Sequence, residues 1–282
     1  MAVGAGLAAR RAAAQTTAPA PPARSPDVPF VPTQTELVRS MLDVAKVGSN
    51  DIVYDLGCGD GRIVIAAVRY YGAKRGVCVD IDPTRIEEAR HNADTAGVGD
   101  RISFENADLF TTDLREATVV TLYLLPLINE RLRPKLFREL RPGTRVVSNS
   151  FDMGNWAADT IVAPPAPSGF QKQAYFWTIP ADVAGIWHVR AGGAGLKTLE
   201  LEQTYQRVNG TAEFRGRTVP LSDVRISGDR LSFTLGNSGE VRFEGAVRGD
   251  QLSGTVRNGS QGEKAWSAER TKRGKRAELA PS

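Results

Sequence analysis

Residues Val53-Tyr54-Asp55-Leu56-Gly57-Cys58-Gly59-Asp60-Gly61-Arg62 read as a buried strand that turns through three glycines into the helical run Ile63-Val64-Ile65-Ala66-Ala67-Val68. Glycine is used where backbone approaches a ligand closely or takes φ > 0. A strand, a glycine loop and a helix in succession form the nucleotide crevice of an open α/β sheet. The dinucleotide fingerprint is G-x-G-x-x-G, whereas here the third glycine comes one residue early. Asp55 precedes the first glycine by two residues, and Asp60 lies inside the loop. A pyrophosphate at a helix N-terminus wants bare N–H donors, and carboxylates would repel it. A ligand carrying an ammonium and a sulfonium is instead favoured by them, and S-adenosylmethionine is such a ligand. Gly57, Gly59 and Gly61, with Asp55 and Asp60, are therefore expected to hold that cofactor.

The acids downstream extend the pattern. The apolar run Gly76-Val77-Cys78-Val79 ends at Asp80, about twenty residues past the loop, where an acid at the next strand end can hold both ribose hydroxyls. Ile102 to Glu105 forms a third strand that runs towards Asp108, whose carboxylate is placed to accept a hydrogen bond from an adenine amino group. Asp82, followed by Pro83 at a first helical position, is expected to cap a helix. Upstream, Thr33-Gln34-Thr35-Glu36 has the form of a capping box. It opens an amphipathic helix with Leu37, Val38, Met41 and Leu42 on one face and Gly48 as its stop. Ala117 to Leu124 is apolar and β-branched enough for a central strand. Leu132, Leu136 and Leu140 mark a helix broken by Pro134, and Thr144 to Ser148 forms a further strand. Segments around Thr160-Ile161-Val162 and Gln173 to Ile179 supply a closing antiparallel hairpin.

With these residues in view, the chain resembles the class I, seven-stranded S-adenosylmethionine-dependent methyltransferases over roughly residues 30 to 180. Asp55 to Gly61 match the first motif, Asp80 the second and Asp108 the third. A narrower likeness, to the small protein-lysine methyltransferases acting on adenine nucleotide translocase and the ATP synthase c subunit, rests on three stretches. These are Gly59 to Ala67, Phe30-Val31-Pro32-Thr33, and the run from Leu124-Leu125-Pro126 through Arg138-Glu139-Leu140 to Gly154-Asn155-Trp156. The chain departs from that family in having an aspartate at position 80 where a glutamate is usual, and in its C-terminal extension. The resemblance implies a Rossmann-like, mostly parallel sheet, and an entry segment at Phe30 to Thr33 folding over the methionine end of the cofactor. It also implies an acceptor site after the fourth strand, at Tyr123, Leu124 and Pro126. Relatives that methylate bases or side-chain amides carry Asn/Asp-Pro-Pro-Tyr/Phe there, and of that motif this chain keeps the proline. A Leu-Leu-Pro lip suits a lysine stem, with the Leu124 carbonyl holding the ammonium until its proton leaves. Tyr123 reads equally as core packing.

From Ala181 the helical period disappears. Short alternating runs such as Leu231/Phe233/Leu235 and Val241/Phe243 are separated by turn residues, and Gly228-Asp229-Arg230-Leu231-Ser232 recurs as Gly249-Asp250-Gln251-Leu252-Ser253. That pattern predicts a small all-β meander, barrel or sandwich, with Trp187 and Trp266 closing it from both ends. Its interior is either a lipocalin-like pocket or a core filled by side chains. The resulting organisation is a leader over 1–29, a methyltransferase domain over 30–180, a β-domain over 181–270 and a basic disordered tail over 271–282. A chain ending near Pro180 is expected to fold and keep the cofactor site, because the glycine loop and its acids precede that point.

Composition narrows the function classes. The 282 residues carry a net charge of +4 with the basic residues dispersed, so no basic aromatic stripe points to nucleic acid. No apolar run approaches the length of a membrane span. Cys58 and Cys78 have no metal or redox spacing, and with His91 and His188 as the two histidines no metal site is expected. The leader reads either as the remnant of an export signal, with Ala12-Ala13-Ala14 before Gln15 as its cleavage site, or as a low-complexity segment. Cofactor supply favours the cytoplasm, and export is the alternative. Three functions remain open: a protein-lysine methyltransferase, a methyltransferase for a small metabolite, and a cofactor-binding protein without catalysis whose β-domain contacts a partner or the cell envelope.

Overall fold

The computed structural model describes residues 28–164, 172–236, 241–259 and 262–275. The leader up to residue 27, with its candidate cleavage site, and the tail from 276 lie outside the described residues.

Seven strands form the first sheet: β1 (Ile52–Leu56), β2 (Arg75–Asp80), β3 (Ile102–Asn106), β4 (Val119–Leu122), β5 (Arg145–Asn149), β6 (Thr160–Val162) and β7 (Ala174–Thr178). Their order is β3-β2-β1-β4-β5-β7-β6. The first five are parallel, and β7 and β6 close the edge antiparallel. The period of two sorts each strand between two cores. Val53, Cys78, Val119 and Val147 point to a layer with helices α1 (Thr35–Val44), α2 (Arg62–Tyr70) and α3 (Pro83–Thr95). Tyr54, Val77, Val120 and Val146 point to the opposite layer with α4 (Pro126–Glu139).

Local signals fix several helix ends. Asp82 caps α3 as expected, accepting from the Thr84 N–H at 2.8 Å. The upstream capping box does not form: α1 is capped by Gln34 without a side-chain bond, and Thr33 is buried with its hydroxyl accepting from Asn149 Nδ2 at 3.0 Å. That helix stops at Val44, four residues ahead of Gly48, and Lys46 beyond it takes the left-handed conformation with φ 49°. Pro134 does not break its helix. α4 runs through it because Leu132, Leu136 and Phe137 are buried against the sheet, and the carbonyl of Glu130, deprived of its N–H partner, belongs to an exposed residue.

The second domain is a nine-stranded antiparallel sheet rolled into a nearly closed barrel. Its strands are β8 (Gly185–Ala191), β9 (Leu196–Thr204), β10 (Arg207–Phe214), β11 (Arg217–Pro220), β12 (Ser222–Ser227), β13 (Arg230–Leu235), β14 (Val241–Arg248), β15 (Gln251–Asn258) and β16 (Glu263–Arg273). They follow the order β11-β10-β9-β8-β16-β15-β14-β13-β12. Side chains fill the interior, and the tryptophans belong to that filling rather than to the barrel ends. Trp266 meets Phe233 and Phe243 edge-on at 6.0 and 5.0 Å, and Trp187 donates to the Val183 carbonyl at 2.9 Å. The basic cluster at the end of the chain starts as structure, not as tail: β16 continues to Arg273. Arg270 is buried because Asp182 and Asp250 flank it, at 3.3 and 2.8 Å.

The two domains share a core. At the β9–β10 turn Tyr205, with φ 54°, packs 5.6 Å from Phe137 and 6.0 Å from Trp156. Its hydroxyl donates to Asn155 Oδ1 at 2.7 Å. Gln206 accepts from Trp156 Nε1 at 2.9 Å and donates to the Ala157 carbonyl at 2.6 Å. A chain ending near Pro180 would uncover this cluster, contrary to the sequence expectation of a separable β-domain. We expect Tyr205→Ala to cost about 3 kcal/mol by analogy with other buried aromatic truncations, read from urea denaturation, and the truncated chain to aggregate. A soluble, cofactor-binding truncation would show that the contact is dispensable.

Candidate cofactor and acceptor site

The cleft lies at the carboxyl ends of the parallel strands, where open α/β sheets bind ligands. Its volume is about 1000 Å³, open mouth included, and residues from β1, β2, the segment after β3, the end of β4 and the entry segment 28–33 line it.

Gly57, Gly59 and Gly61 take φ of 78°, 55° and 78°, a path that other residues rarely follow. The N–H groups of Gly57 and Cys58 both donate to the Val79 carbonyl, at 2.8 and 3.1 Å. That of Gly59 donates to Asp80 Oδ2 at 2.9 Å, while Asp80 Oδ1 accepts from the Asp82 N–H at 3.0 Å. Asp80 thus orders the loop as well as facing the cleft. A Cβ on Gly59 would come within 2.3 Å of the Phe30 ring, so bare backbone at this position lets the entry segment close down. Arg85 lies over that ring at 4.8 Å. Gly61 serves packing instead, its α-carbon facing Ala89 of α3.

Cys58 and Cys78 form a disulfide, with Cα atoms 5.3 Å apart. This overturns the reading that they have no redox relation. Their separation in sequence hides their adjacency, because parallel pairing sets Asp55 opposite Cys78 and so brings the loop beside β2.

Asp60 pairs with Arg62 at 2.5 Å, and Arg62 also donates to the Thr33 carbonyl at 2.8 Å, tying the loop to the entry segment. Asp108 sits past β3, accepts from the Phe110 N–H at 2.9 Å and lines the cleft. Asp55 is buried; Oδ1 accepts from Thr121 at 2.7 Å and Oδ2 has no hydrogen-bond partner. Burial pushes its pKa up from 3.8 to about 7; the Thr121 bond opposes the rise, and the charges of Asp80 and Asp60 add to it. A buried carboxyl oxygen left without a partner beside a cleft is suited to a cationic ligand.

At the other end, Tyr123, Leu124 and Ile128 line the cleft. Tyr123 stacks with Phe151 at 6.4 Å, and its hydroxyl accepts from Lys172 Nζ at 2.7 Å. Pro126 stands outside the lining as the first residue of α4, and Leu125 is exposed rather than forming a lip. The structure therefore brings together Asp55, Gly57, Asp60, Asp80, Asp108, Tyr123 and Leu124. Sequence reading missed Phe151 and Lys172, which lie far along the chain and carry no motif. It also missed Arg62, whose reach to Thr33 no spacing rule encodes. Among the described residues no cluster of three or more His, Cys, Asp or Glu could hold a metal.

Fold and cleft together define an α/β protein built for a cation-bearing nucleoside. A family model, the ANTKMT methyltransferase domain, matches residues 55–160. Over 137 residues the chain is 50% identical to a protein-lysine N-methyltransferase of Saccharolobus islandicus, covering 49% of this chain and 85% of that protein. It is 33% identical over 135 residues to the adenine nucleotide translocase lysine N-methyltransferase of Mus musculus, covering 48% of this chain and 58% of that protein. A crystal structure described as an RNA methyltransferase from Salinibacter ruber, in complex with S-adenosylhomocysteine, is 53% identical with a TM-score of 0.51. It matches 54% of this chain and 96% of that one. The chain belongs to the class I S-adenosylmethionine-dependent methyltransferases and, within them, is similar to the small protein-lysine methyltransferases.

Two outcomes are expected. The folded protein keeps the Asp55 proton where the unfolded chain has lost it, so this group's contribution to stability falls as pH rises from 3.8 through about 7. A cation favours the ionised form, so affinity for the sulfonium S-adenosylmethionine should rise about tenfold from about pH 6 to about pH 8 and then level off. Calorimetry across that range checks this, and Asp55→Asn should flatten the profile; a flat wild-type profile would show that this proton is not linked to binding. The second outcome concerns the disulfide: replacing both cysteines by serine should cost about 3 kcal/mol of stability. Mass spectrometry after alkylation of the denatured protein should find no free thiol until reductant is added.

Proposed function

We propose that this methyltransferase modifies a lysine side chain of a protein. The observation that carries the reading is the acceptor end of the cleft, where the apolar Leu124 and Ile128 adjoin the Tyr123–Phe151 pair and a lysine head already rests against the Tyr123 hydroxyl. The likeness to the Saccharolobus islandicus and Mus musculus lysine methyltransferases supports it.

In this reading Asp80 accepts from the ribose hydroxyls, Asp108 from the adenine amino group, and Asp55 faces the cationic end of the cofactor. Gly57 and Gly59 let the backbone approach, Gly61 lets α2 pack against α3, and Asp60 with Arg62 holds the entry segment down. S-adenosylmethionine supplies an electrophilic methyl group, and the protein's task is to position and desolvate the nucleophile. An unperturbed lysine, with pKa near 10.4, is neutral in under about one part in a thousand at pH 7. Apolar walls lower that pKa by desolvating the ammonium, the role assigned to Leu124 and Ile128. Tyr123 orients the amine, and Pro126 starts the helix that presents Ile128. The Cys58–Cys78 bridge supports the exported alternative for its compartment, because such bridges persist where conditions are oxidising.

A second reading, an RNA acceptor, is favoured by the Salinibacter ruber structure. Against it stands the stretch Tyr123-Leu124-Leu125-Pro126, which has no polar Asn/Asp head to grip a base. Transfer of tritium from methyl-labelled S-adenosylmethionine into a cell lysate separates the readings. Label that protease releases and that hydrolysis recovers as methyl-lysine is the expected result. Label released by ribonuclease would replace the lysine reading with RNA, and label in the small-molecule fraction would replace it with a metabolite.

A further inference from the structure

One lysine of the chain already reaches the acceptor wall. The Ser150 N–H donates to the Gln173 carbonyl at 2.7 Å, and β5 pairs Asn149 with Ala174, so backbone register fixes where Lys172 leaves the sheet. Its ammonium lies 2.7 Å from the Tyr123 hydroxyl and 5.0 Å from the ring centroid. Tyr123 in turn lines the cleft directly beside Leu124, whose side chain lies against Gly57 of the cofactor loop. A hydroxyl acceptor, an aromatic face and an adjoining apolar wall are the groups that receive a lysine head, and Lys172 makes the polar and the aromatic contact from within the chain.

We propose that Lys172 is an internal acceptor: it occupies the lysine site as a tethered pseudosubstrate and is itself methylated. This rests on the lysine reading above. In the transfer, the Lys172 ammonium first gives a proton to water. The Nζ lone pair then attacks the methyl carbon, the N–C bond forms as the C–S bond breaks, and the bonding electrons return to sulfur to give neutral S-adenosylhomocysteine. Nζ gains one methyl group, and no redox partner is needed. Until Lys172 is methylated or swings aside, an external lysine must compete with a tethered one at high effective concentration.

The test uses the full chain. Purified protein incubated with S-adenosylmethionine should gain methyl groups that peptide mapping assigns to Lys172, with a first-order rate unchanged over about a hundredfold dilution, as an intramolecular step requires. Lys172→Arg should lose that modification entirely. Separately from turnover, the Lys172→Ala protein saturated with S-adenosylhomocysteine should bind a blocked Gly-Lys-Gly tripeptide about tenfold more tightly than wild type in calorimetry, because the competing side chain is gone. Lysate proteins methylated on lysine while Lys172 stays unmodified would overturn this inference and leave the lysine reading intact. Modification of Lys172 at a rate that scales with protein concentration would overturn the internal geometry, as would equal tripeptide affinity in the two proteins. Absence of methyl-lysine anywhere, in the chain or the lysate, would overturn both.

Discussion

The path of residues 57 to 61 constrains the rest of the cleft. Three left-handed glycines let the chain leave β1 and turn back over β2, and two successive N–H groups share the Val79 carbonyl. The third N–H goes to the Asp80 carboxylate. That carboxylate therefore reaches the cleft with its position already set by backbone donors. The disulfide joins the same loop to the same strand. Because α2 starts directly after Gly61 and its axis follows the exit direction of the loop, the close contact of Gly61 with Ala89 also fixes how α2 and α3 pack.

Three carboxylates crowd this turn, and each is handled differently. Asp60 has a guanidinium, Asp80 has two backbone donors, and Asp55 keeps its proton to about pH 7. An unpaired buried carboxylate costs several kcal/mol, so holding a proton is the less costly state for Asp55 when no cation is near. A ligand cation beside it replaces that proton. The arrangement couples discrimination to charge: a neutral nucleoside would leave Asp55 protonated and gain nothing from it.

What sequence could reveal here was whatever is local or periodic. The glycine spacing, the acids at successive strand ends, the alternation that sorts Val53 from Tyr54, and the turn repeat in the β-domain each lie within a few residues of their cause. Contacts between residues far apart in the chain were invisible. Thr33 had the form of a helix cap until Asn149, more than a hundred residues on, took its hydroxyl. Residues 271–273 lay in the stretch that composition marked as tail, and β16, anchored by the buried Arg270 between Asp182 and Asp250, carries them on as strand. Cys58 and Cys78 became neighbours only once β1 and β2 were paired in register. Pro134 shows the opposite case, a strong local rule overridden by the burial of Leu132, Leu136 and Phe137 around it.

The second domain reaches the acceptor wall through the segment after β5. Tyr205 donates to Asn155, which also accepts from Arg133 Nη1 at 2.7 Å, and that same nitrogen donates to the Met153 carbonyl. Asn129, one residue from the cleft-lining Ile128, donates to the carbonyls of Phe151 and Asp152 at 3.3 and 3.0 Å. The stretch from Ser150 to Asn155 is thus held by α4 along one side, by the Gln173 carbonyl at its start and by the β-domain turn at its end. Phe151 sits inside it and stacks on Tyr123. An aromatic shelf built on a segment between strands gains rigidity only from such supports, and here the last of them comes from the β-domain. A domain none of whose described residues lines the cleft therefore still bears on where the acceptor rests.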